Sequence, residues 1–393
     1  MSRLNELIQQ YCPDGVEYKP IWSLTAWDKK FNGIDKSKQK KIIKYNYLLA
    51  ADLKSYQVES GTVKLLTTNI SNLYTTEELA EDLASDGEVV AIPWGGNPVV
   101  QYYKGRFLTA DNRIATSLDT TLLNNKFLYY CMLSRMKLIA SFYRGSGIKH
   151  PEMAKVLDLE IPVPPLPVQE EIVRILDTFA ELQAELQAEL QKRLQQYNYY
   201  RDNLFSFEGR TDVKWKTLGE MGVNLDRKRK PITAGKREPG DIPYYGASGI
   251  VDYVKGYLFD GDYLLISEDG ANLLTRTYPI AFSIHGKTWV NNHAHIIEFK
   301  ERATRKYVEY YLNSIDLSPW ISAGAQPKLT QDNLNRITIP IPPLTEQQRI
   351  VEVLDRFSTL TTDITAGLPA EIEARRKQYE YYRDQLLTFK QKA

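Results

Sequence analysis

The sequence predicts an α+β fold. Two tandem mixed α/β domains are separated and joined by two long antiparallel helices forming an intramolecular coiled coil, the whole a pseudo-twofold internal repeat. Three observations predict it. First, "IPVPPLPVQEEIVRILDTFAEL" at 161–182 returns as "IPIPPLTEQQRIVEVLDRFSTL" at 339–360 with 12 of 22 positions identical, and "YNYYRDNLFSF" at 197–207 returns as "YEYYRDQLLTF" at 379–389 with 7 of 11. Second, an apolar stripe at intervals of three and four follows each Pro-rich stretch, with Glu, Gln, Lys and Arg on the other faces. Third, the segments between the repeats hold short alternating runs of β-branched and aromatic residues broken by Gly and Pro.

Taken in order, residues 1–158 form the first domain, with strand-like runs such as "GEVVAIPWGG". Residues 159–207 carry the first Pro-rich motif and the first long helix. Successive prolines at 161–167 fix φ and push their predecessors toward extended backbone, so the helix starts only behind them. From 168 to 207 the helical run is 40 residues, about 60 Å at 1.5 Å per residue. Its stripe is Ile172, Ile175, Phe179, Leu182, Leu186, Leu190, Leu194 and Tyr197. So narrow a stripe on so long a helix calls for a second helix beside it. Residues 208–336 form the second domain, with "DYLLISEDG", "PIAFSIHGKTWV" and "HAHIIEF" as strand candidates. Residues 337–393 repeat motif and helix, with Ile350, Val353, Phe357, Leu360, Ile364, Ile372, Tyr379 and Leu386 as the matching stripe. The repeat offset grows from 178 at the front to 182 at the back, so the second copy carries four extra residues, placed around "GLPAE" at 367–371. Gly367 and Pro369 should kink or interrupt that helix.

The domains themselves align weakly. "GEVVAI" (87–92) sits against "GDYLLI" (261–266), and "TADNRIA" (109–115) against "WVNNHAH" (289–295), sharing Asn112 and Asn292. That register puts Arg113 opposite His293 and Ala115 opposite His295.

With 393 residues, two or more domains are expected. Fifty basic residues against 49 acidic leave a net charge of +1, so nucleic-acid binding has to rest on local clusters. Cys12 and Cys131 are far apart and outside any C-x-x-C pair, which argues against a disulfide framework or structural zinc and fits a reducing cytosol. No run of 18 apolar residues suggests a membrane span, and the N-terminus lacks a signal-peptide apolar run. Twenty-six tyrosines against 12 phenylalanines suit surfaces that are both apolar and hydrogen-bonding.

Two basic clusters occupy matching places soon after each domain begins. "DKKFNGIDKSKQKKIIK" (28–44) holds seven lysines against two aspartates, and "DRKRKPITAGKR" (226–237) six basic residues against one acidic. A single charge run is usually a solvated face; two at equivalent positions of a duplicated chain point to phosphate contact. The candidate phosphate contacts are Lys29, Lys30, Lys36, Lys38, Lys40, Lys41, Arg144 and Lys149 in the first domain. In the second they are Arg227, Lys228, Arg229, Lys230, Lys236, Arg237 and Lys328. Candidates for base or groove contact come from the loops and strand ends: Trp94, Asn97, Gln101, Tyr244, Tyr245, Ser248, Glu268, Asn272 and Arg276. Helix packing is assigned to Ile172, Phe179, Leu182, Leu186, Leu190, Ile350, Phe357 and Leu360.

Tests for catalysis fail. "GKT" at 286–288 has Ala281 where a P-loop needs glycine and lies in a strand-like run. "EFK" (298–300), with Asp262 or Asp269 upstream, has the spacing of a metal-dependent nuclease, but the first domain does not preserve it. His293 and His295 share a strand face and lack an obvious third ligand at motif spacing, so no metal site is assigned. The chain reads as a binder without catalytic residues.

The motif I-P-[VI]-P-P-L-x-x-Q-x-x-I-V-x-x-L-D-x-F, present twice before a helix ending in Y-x-Y-Y-R-D-x-L, resembles that of the specificity (S) subunits of type I restriction–modification systems. "IPYYGASGIVDYV" (242–254) and "GKTWVNNHAHIIEF" (286–299) are similar to stretches of that family's target-recognition domains. The resemblance covers essentially the whole chain. It implies a cytoplasmic, non-catalytic DNA-binding subunit whose two domains each read one half of a split, asymmetric double-stranded site. The helices would set the spacer and dock two modification (methyltransferase) subunits, with restriction (translocase/nuclease) subunits added. S-adenosylmethionine, ATP and Mg would sit on those partners and no cofactor on this chain. The alternatives are a related system with a fused methyltransferase–nuclease partner, a coiled-coil scaffold with no DNA role, and an independent nuclease resting on "EFK".

Overall fold

The computed structural model describes residues 3–39, 41–322, 326–363 and 365–392. Five helices matter here: α1 (Asn125–Ser134), α2 (Leu166–Leu204), α3 (Arg302–Ser314), α4 (Leu344–Thr362) and α5 (Leu368–Leu386). The chain divides into two compact units, one of residues 1–185 with 372–393 and the other of residues 186–371.

In the first unit the strands are β1 (Tyr18–Pro20), β2 (Thr25–Trp27), β3 (Val63–Leu66), β4 (Tyr74–Thr75), β5 (Ser85–Pro93), β6 (Gln101–Thr109), β7 (Asn112–Ser117) and β8 (Glu160–Pro162), besides a short hairpin of Tyr143–Arg144 with His150–Pro151. In the second they are β9 (Lys214–Thr217), β10 (Val223–Asn224), β11 (Pro239–Gly246), β12 (Gly249–Val254), β13 (Phe259–Ser267), β14 (Ala281–Val290), β15 (Ala294–Glu298) and β16 (Thr338–Ile341). The first unit's sheet runs β2-β7-β5-β6-β3-β4 and the second's β10-β15-β13-β14-β11-β12, the same order shifted by eight. Each has one parallel pair, β3 with β6 and β11 with β14. The central strands β5 and β13 are buried on both faces over Val89–Ile92 and Tyr263–Ser267, so they read as apolar runs rather than alternating ones.

The Pro-rich motif is a strand followed by a clamp. Ile161 pairs with Lys19 and Ile339 with Lys216, each in an antiparallel two-stranded ribbon, where prolines are tolerated because there is no central ladder to break. The motif's glutamine then ties the turn to the helix. Gln169 donates to the carbonyls of Pro164 (2.7 Å) and Leu122 (2.8 Å) and accepts from the Asn124 N–H (2.9 Å). Gln347 donates to the Pro342 carbonyl (2.8 Å) and accepts from the Thr304 hydroxyl (2.8 Å). The motif's aspartate anchors the domain helix. Asp177 accepts from Tyr130 Oη (2.6 Å) and Lys126 Nζ (2.8 Å), and Asp355 accepts from Tyr310 Oη (2.6 Å). Ile172 and Leu176 complete a core with Val90, Ile92, Phe127 and Cys131, as Ile350 and Leu354 do with Leu264, Ile266, Val308 and Leu312. Both cysteines are free and buried.

α2 is one uninterrupted helix that contributes to both units. In the first unit Phe179 packs on Tyr379 and stacks on Tyr382 of α5, with centroids 6.4 and 5.6 Å away. In the second, Phe357 of α4 meets Tyr197 and Tyr200 of α2 at 6.2 and 5.6 Å. Leu186 and Leu190 are half-buried, whereas Leu182 and Leu360 are exposed. The physical reason for Leu182 lies in the "AELQAELQAELQ" run at 180–191: leucines four apart drift about 40° per step from a 3.6-residue turn. The second helix breaks at the expected place. Asp363 Oδ1 accepts from the Thr365 and Ala366 N–H groups, Gly367 N–H donates to the Asp363 carbonyl, and a Cβ at Gly367 would lie 2.3 Å from the Thr359 oxygen. Ile364 falls outside the described residues.

Candidate nucleic-acid interface

Each basic loop grows from one buried aspartate. In the first unit Asp28 Oδ1 accepts from the Ile114 N–H (3.0 Å), and Oδ2 accepts from Tyr47 Oη (3.0 Å) and Arg113 Nη1 (3.3 Å). In the second, Asp226 Oδ1 accepts from the Ile296 N–H (3.0 Å), and Oδ2 lies 2.6 Å from His295 Nδ1. Arg113 therefore corresponds to His295 and Ile114 to Ile296. This corrects the sequence register by two: the shared Asn112 and Asn292 are coincidental, because Asn112 stands opposite Pro93 in the ladder and Ala294 opposite Ser267.

The turn after the central strand is also built twice. Trp94 N–H donates to the Asp111 carbonyl (2.7 Å) and Glu268 N–H to that of His293 (2.9 Å). Two residues on, Gly96 N–H donates to Lys149 O and Gly270 N–H to Pro327 O, both at 3.1 Å. These glycines have φ of +101° and +105°, backbone that L side chains rarely adopt. By this bonding Trp94 corresponds to Glu268, and His150, one residue past Lys149, to Lys328.

At this point the first unit is cationic and aromatic. The Arg113 guanidinium lies 4.5 Å and Lys29 Nζ 5.6 Å from the Trp94 ring centre, and the His150 ring packs on it at 5.2 Å. Partial burial, and then the Arg113 charge, lower the Lys29 pKa, and an anion here would offset the repulsion between the two cations. Lys29 lines two adjoining clefts of about 510 and 480 Å³, the first with Asp28, Lys44, Tyr47 and Arg113, the second with Lys30, Trp94 and Met153.

The second unit holds an ionic cluster instead. Arg229 Nη1 donates to Glu268 Oε2 (2.6 Å) and the Ala294 carbonyl (2.6 Å), with Nη2 3.3 Å from Asp226 Oδ2. Lys328 Nζ is 3.1 Å from Glu268 Oε1, and His295 Nε2 donates to the Leu329 carbonyl (2.8 Å). Burial opposes ionisation of Asp226 and Glu268, yet the His295 hydrogen bond and charge, and the Arg229 and Lys328 contacts, hold both carboxyls below their usual range. Asp226, Glu268 and His295 bring their ligand atoms within 4.8 Å of one another, a grouping sequence spacing did not reveal, while His293 lies outside it in the preceding turn, paired with Asp269. Arg229 and Lys328 already neutralise those carboxylates, and a metal would have to displace Arg229.

The remaining candidates divide by exposure. Lys30, Lys36, Lys41, Lys149, Arg227, Lys228, Lys230 and Lys236 are exposed, as are Asn97 and Ser248. Lys40 falls outside the described residues. Lys38 pairs with Asp158 (2.5 Å) and Arg144 with Glu152 (2.9 Å). Arg237 lies 4.5 Å over the buried Tyr244 ring and pairs with Asp252 (3.0 Å), while Tyr244 Oη accepts from the Ile232 N–H (2.9 Å). Tyr245 is half-buried against Phe282. Gln101 is buried and donates to the Thr67 carbonyl (2.8 Å). Asn272 accepts from the Tyr278 N–H (2.9 Å), and Arg276 donates to the Ile315 carbonyl (2.8 Å). In "EFK", Glu298 stands opposite Tyr263, which puts the adjacent Asp262 on the other sheet face, paired with His285 (2.8 Å). "GKT" lies within β14.

One fold used twice, each copy raising a basic loop from a buried aspartate, is the architecture of a two-domain specificity subunit. The chain belongs to that family: the type I restriction modification DNA specificity domain matches residues 54–196 and 211–374. Its members are non-catalytic components of type I restriction–modification complexes. The chain is 35% identical over 307 residues to the EcoR124I/EcoR124II specificity subunit of Escherichia coli, covering 70% of this chain and 74% of that one. It is 40% identical over 181 residues to a putative type I specificity subunit of Haemophilus influenzae, an alignment spanning 45% of this chain and 46% of the relative. In fold it is similar to the S subunit of M. genitalium, with a TM-score of 0.61 at 17% identity over 95% and 96% of the two chains. No helix among the described residues is long and apolar enough to cross a membrane.

Proposed function

We propose that this chain selects the DNA target of a type I restriction–modification complex, each six-stranded domain reading one half of a bipartite asymmetric site. α2, α4 and α5 set the spacer and dock two methyltransferase subunits, and restriction subunits join the same assembly. S-adenosylmethionine, ATP and Mg belong to those partners, and the complex acts on cytoplasmic DNA. The observation that carries this reading is the duplicated basic loop, rooted both times on a buried aspartate that accepts from the strand next to the central one, β7 in the first unit and β15 in the second. Exposed cations there meet phosphates, and the neighbouring turns lie beside them, where base edges would be read.

The test uses the chain assembled with its methyltransferase partner. Neutralising Arg227, Lys228 and Lys230 together, all exposed, should weaken binding to every sequence. It should also reduce the slope of log K against log salt by roughly one unit for each phosphate no longer neutralised. Arg229 stays in place because Glu268 and Asp226 hold it. An unchanged salt slope would place these cations away from DNA.

A further inference from the structure

In both units one side-chain cluster ties together three separate segments: the basic loop, the turn after the central strand, and the segment leading into the Pro-rich strand. In the first the tie is Lys29 and Arg113 on Trp94, with His150 packed on the same ring and its Nδ1 donating to the Trp94 carbonyl (2.7 Å). In the second the tie is Glu268, contacted by Arg229 from the basic loop, Lys328 from the pre-motif segment, and His295 from β15 at 3.7 Å. Backbone bonds fix the correspondence independently of the side chains, through Trp94 and Glu268 N–H, and Gly96 and Gly270 N–H. The positions are the same and the chemistry is not: one lock is an indole among cations, the other a carboxylate among cations.

The packing is close at both. In the first unit a Cβ on Gly95 would lie 2.9 Å from Ile148 Cγ2 and 3.3 Å from the His150 ring, so the turn and the pre-motif segment are in side-chain contact there. In the second, Glu268 is buried to 8% exposure and its own carbonyl accepts from the Leu329 N–H at 2.8 Å. The central side chain adds to these backbone bonds a contact that reaches all three segments at once.

We propose that Trp94 and Glu268 are equivalent positioning residues for sequence discrimination, each fixing the mutual placement of the three segments that face its own DNA half-site, and acting on that half alone. The inference rests on the two-half reading above. It goes beyond that reading by assigning the placement of the base-reading turns to one lock per domain. Phosphate-contacting lysines set affinity for all sequences alike; loss of a lock instead lets the turns take several placements, so correct and mismatched bases become harder to tell apart.

The experiment measures binding of the assembled complex to the intact target and to targets with single mismatches in either half. A mismatch ordinarily lowers affinity by about ten- to a hundredfold. In Glu268→Gln the mismatch penalty should fall about tenfold in one half and stay unchanged in the other, whereas Glu268→Asp should retain it. Trp94→Ala should relax the opposite half, and Trp94→Phe should restore it. Retained affinity of the mutated domain for its own intact half-site reports that this domain is folded, because an unfolded domain would lose matched and mismatched DNA alike. Lys328→Gln, at an exposed side chain, should relax the Glu268 half more mildly without a core substitution. The proposal is overturned if Glu268→Gln and Trp94→Ala relax the same half, relax neither, or weaken every target equally. If the unmutated complex shows no two-part discrimination, the functional reading fails before the lock is tested.

Discussion

A single buried carboxylate organises the root of each domain's basic loop. Asp28 has no exposed role; it receives a backbone N–H, a tyrosine hydroxyl and the Arg113 guanidinium, and that arginine in turn supports the Trp94 ring. Replacing it with asparagine leaves a buried guanidinium without its counter-charge, a change that costs about 3–5 kcal/mol. Asp28→Asn should therefore lower the denaturation midpoint of the first domain and speed hydrogen exchange in β2 and β7, with the second domain unaffected. Unchanged exchange at Ile114 would refute this. The basic residues following the aspartates were legible in sequence as two matched clusters. The anchoring pairs were not, because Asp28 and Arg113 are 85 positions apart and the one visible identity, Asn112 with Asn292, suggested a register two residues off. Hydrogen-bond topology, not residue identity, carries the equivalence.

The repeated motif behaves as a mechanical element. Prolines fix an extended strand at its start, the glutamine closes the turn, and the aspartate holds the domain helix, so nearly every retained side chain has a named partner. This much was legible because proline geometry and heptad-like spacing are local. The helix break at Gly367 was legible for the same reason. The exposed Leu182 was not, since its burial depends on how a four-residue period drifts against a partner helix. Gln169→Ala would leave the Pro164 carbonyl without its partner in a buried site, a loss worth about 1–3 kcal/mol, and would remove the part-buried bonds to the Asn124 N–H and the Leu122 carbonyl. Proteolysis should then nick the chain near 118–125 faster than in the unmutated protein; Gln169→Glu, which turns a carboxylate onto the Pro164 and Leu122 carbonyls in a buried site, should be nicked at least as fast. Equal rates for all three would show that the clamp carries no stability.

At the scale of the whole molecule the duplication is closed by exchange of ends. The first unit contains residues 372–393 as well as 1–185, and the tail is woven into it. Val16 N–H donates to the Lys390 carbonyl and Lys392 N–H to the Val16 carbonyl, both at 2.9 Å, Tyr18 Oη donates to Phe389 O at 3.1 Å, and Leu387 is 3% exposed in the same core as Leu4 and Ile21. A Cβ at Gly15 would stand 2.4 Å from the Lys390 oxygen, so the fit admits no other residue there without movement. In the second unit the residues before β9 serve similarly, Phe205 meeting Tyr307 and Tyr311 edge-on at 5.5 and 5.4 Å, but they are continuous with the strand they support. The two copies thus share the order of their six-stranded sheets and differ in connectivity, the first being completed by a distant stretch of chain. Removing residues 387–393 deletes a buried leucine, worth about 2–3 kcal/mol by area, together with these backbone bonds. The truncated chain should melt in two steps, with exchange protection lost first across β1 and residues 3–11 and retained across β13 to β15. Simultaneous loss in both units, or none in the first, would contradict a first domain completed by the tail.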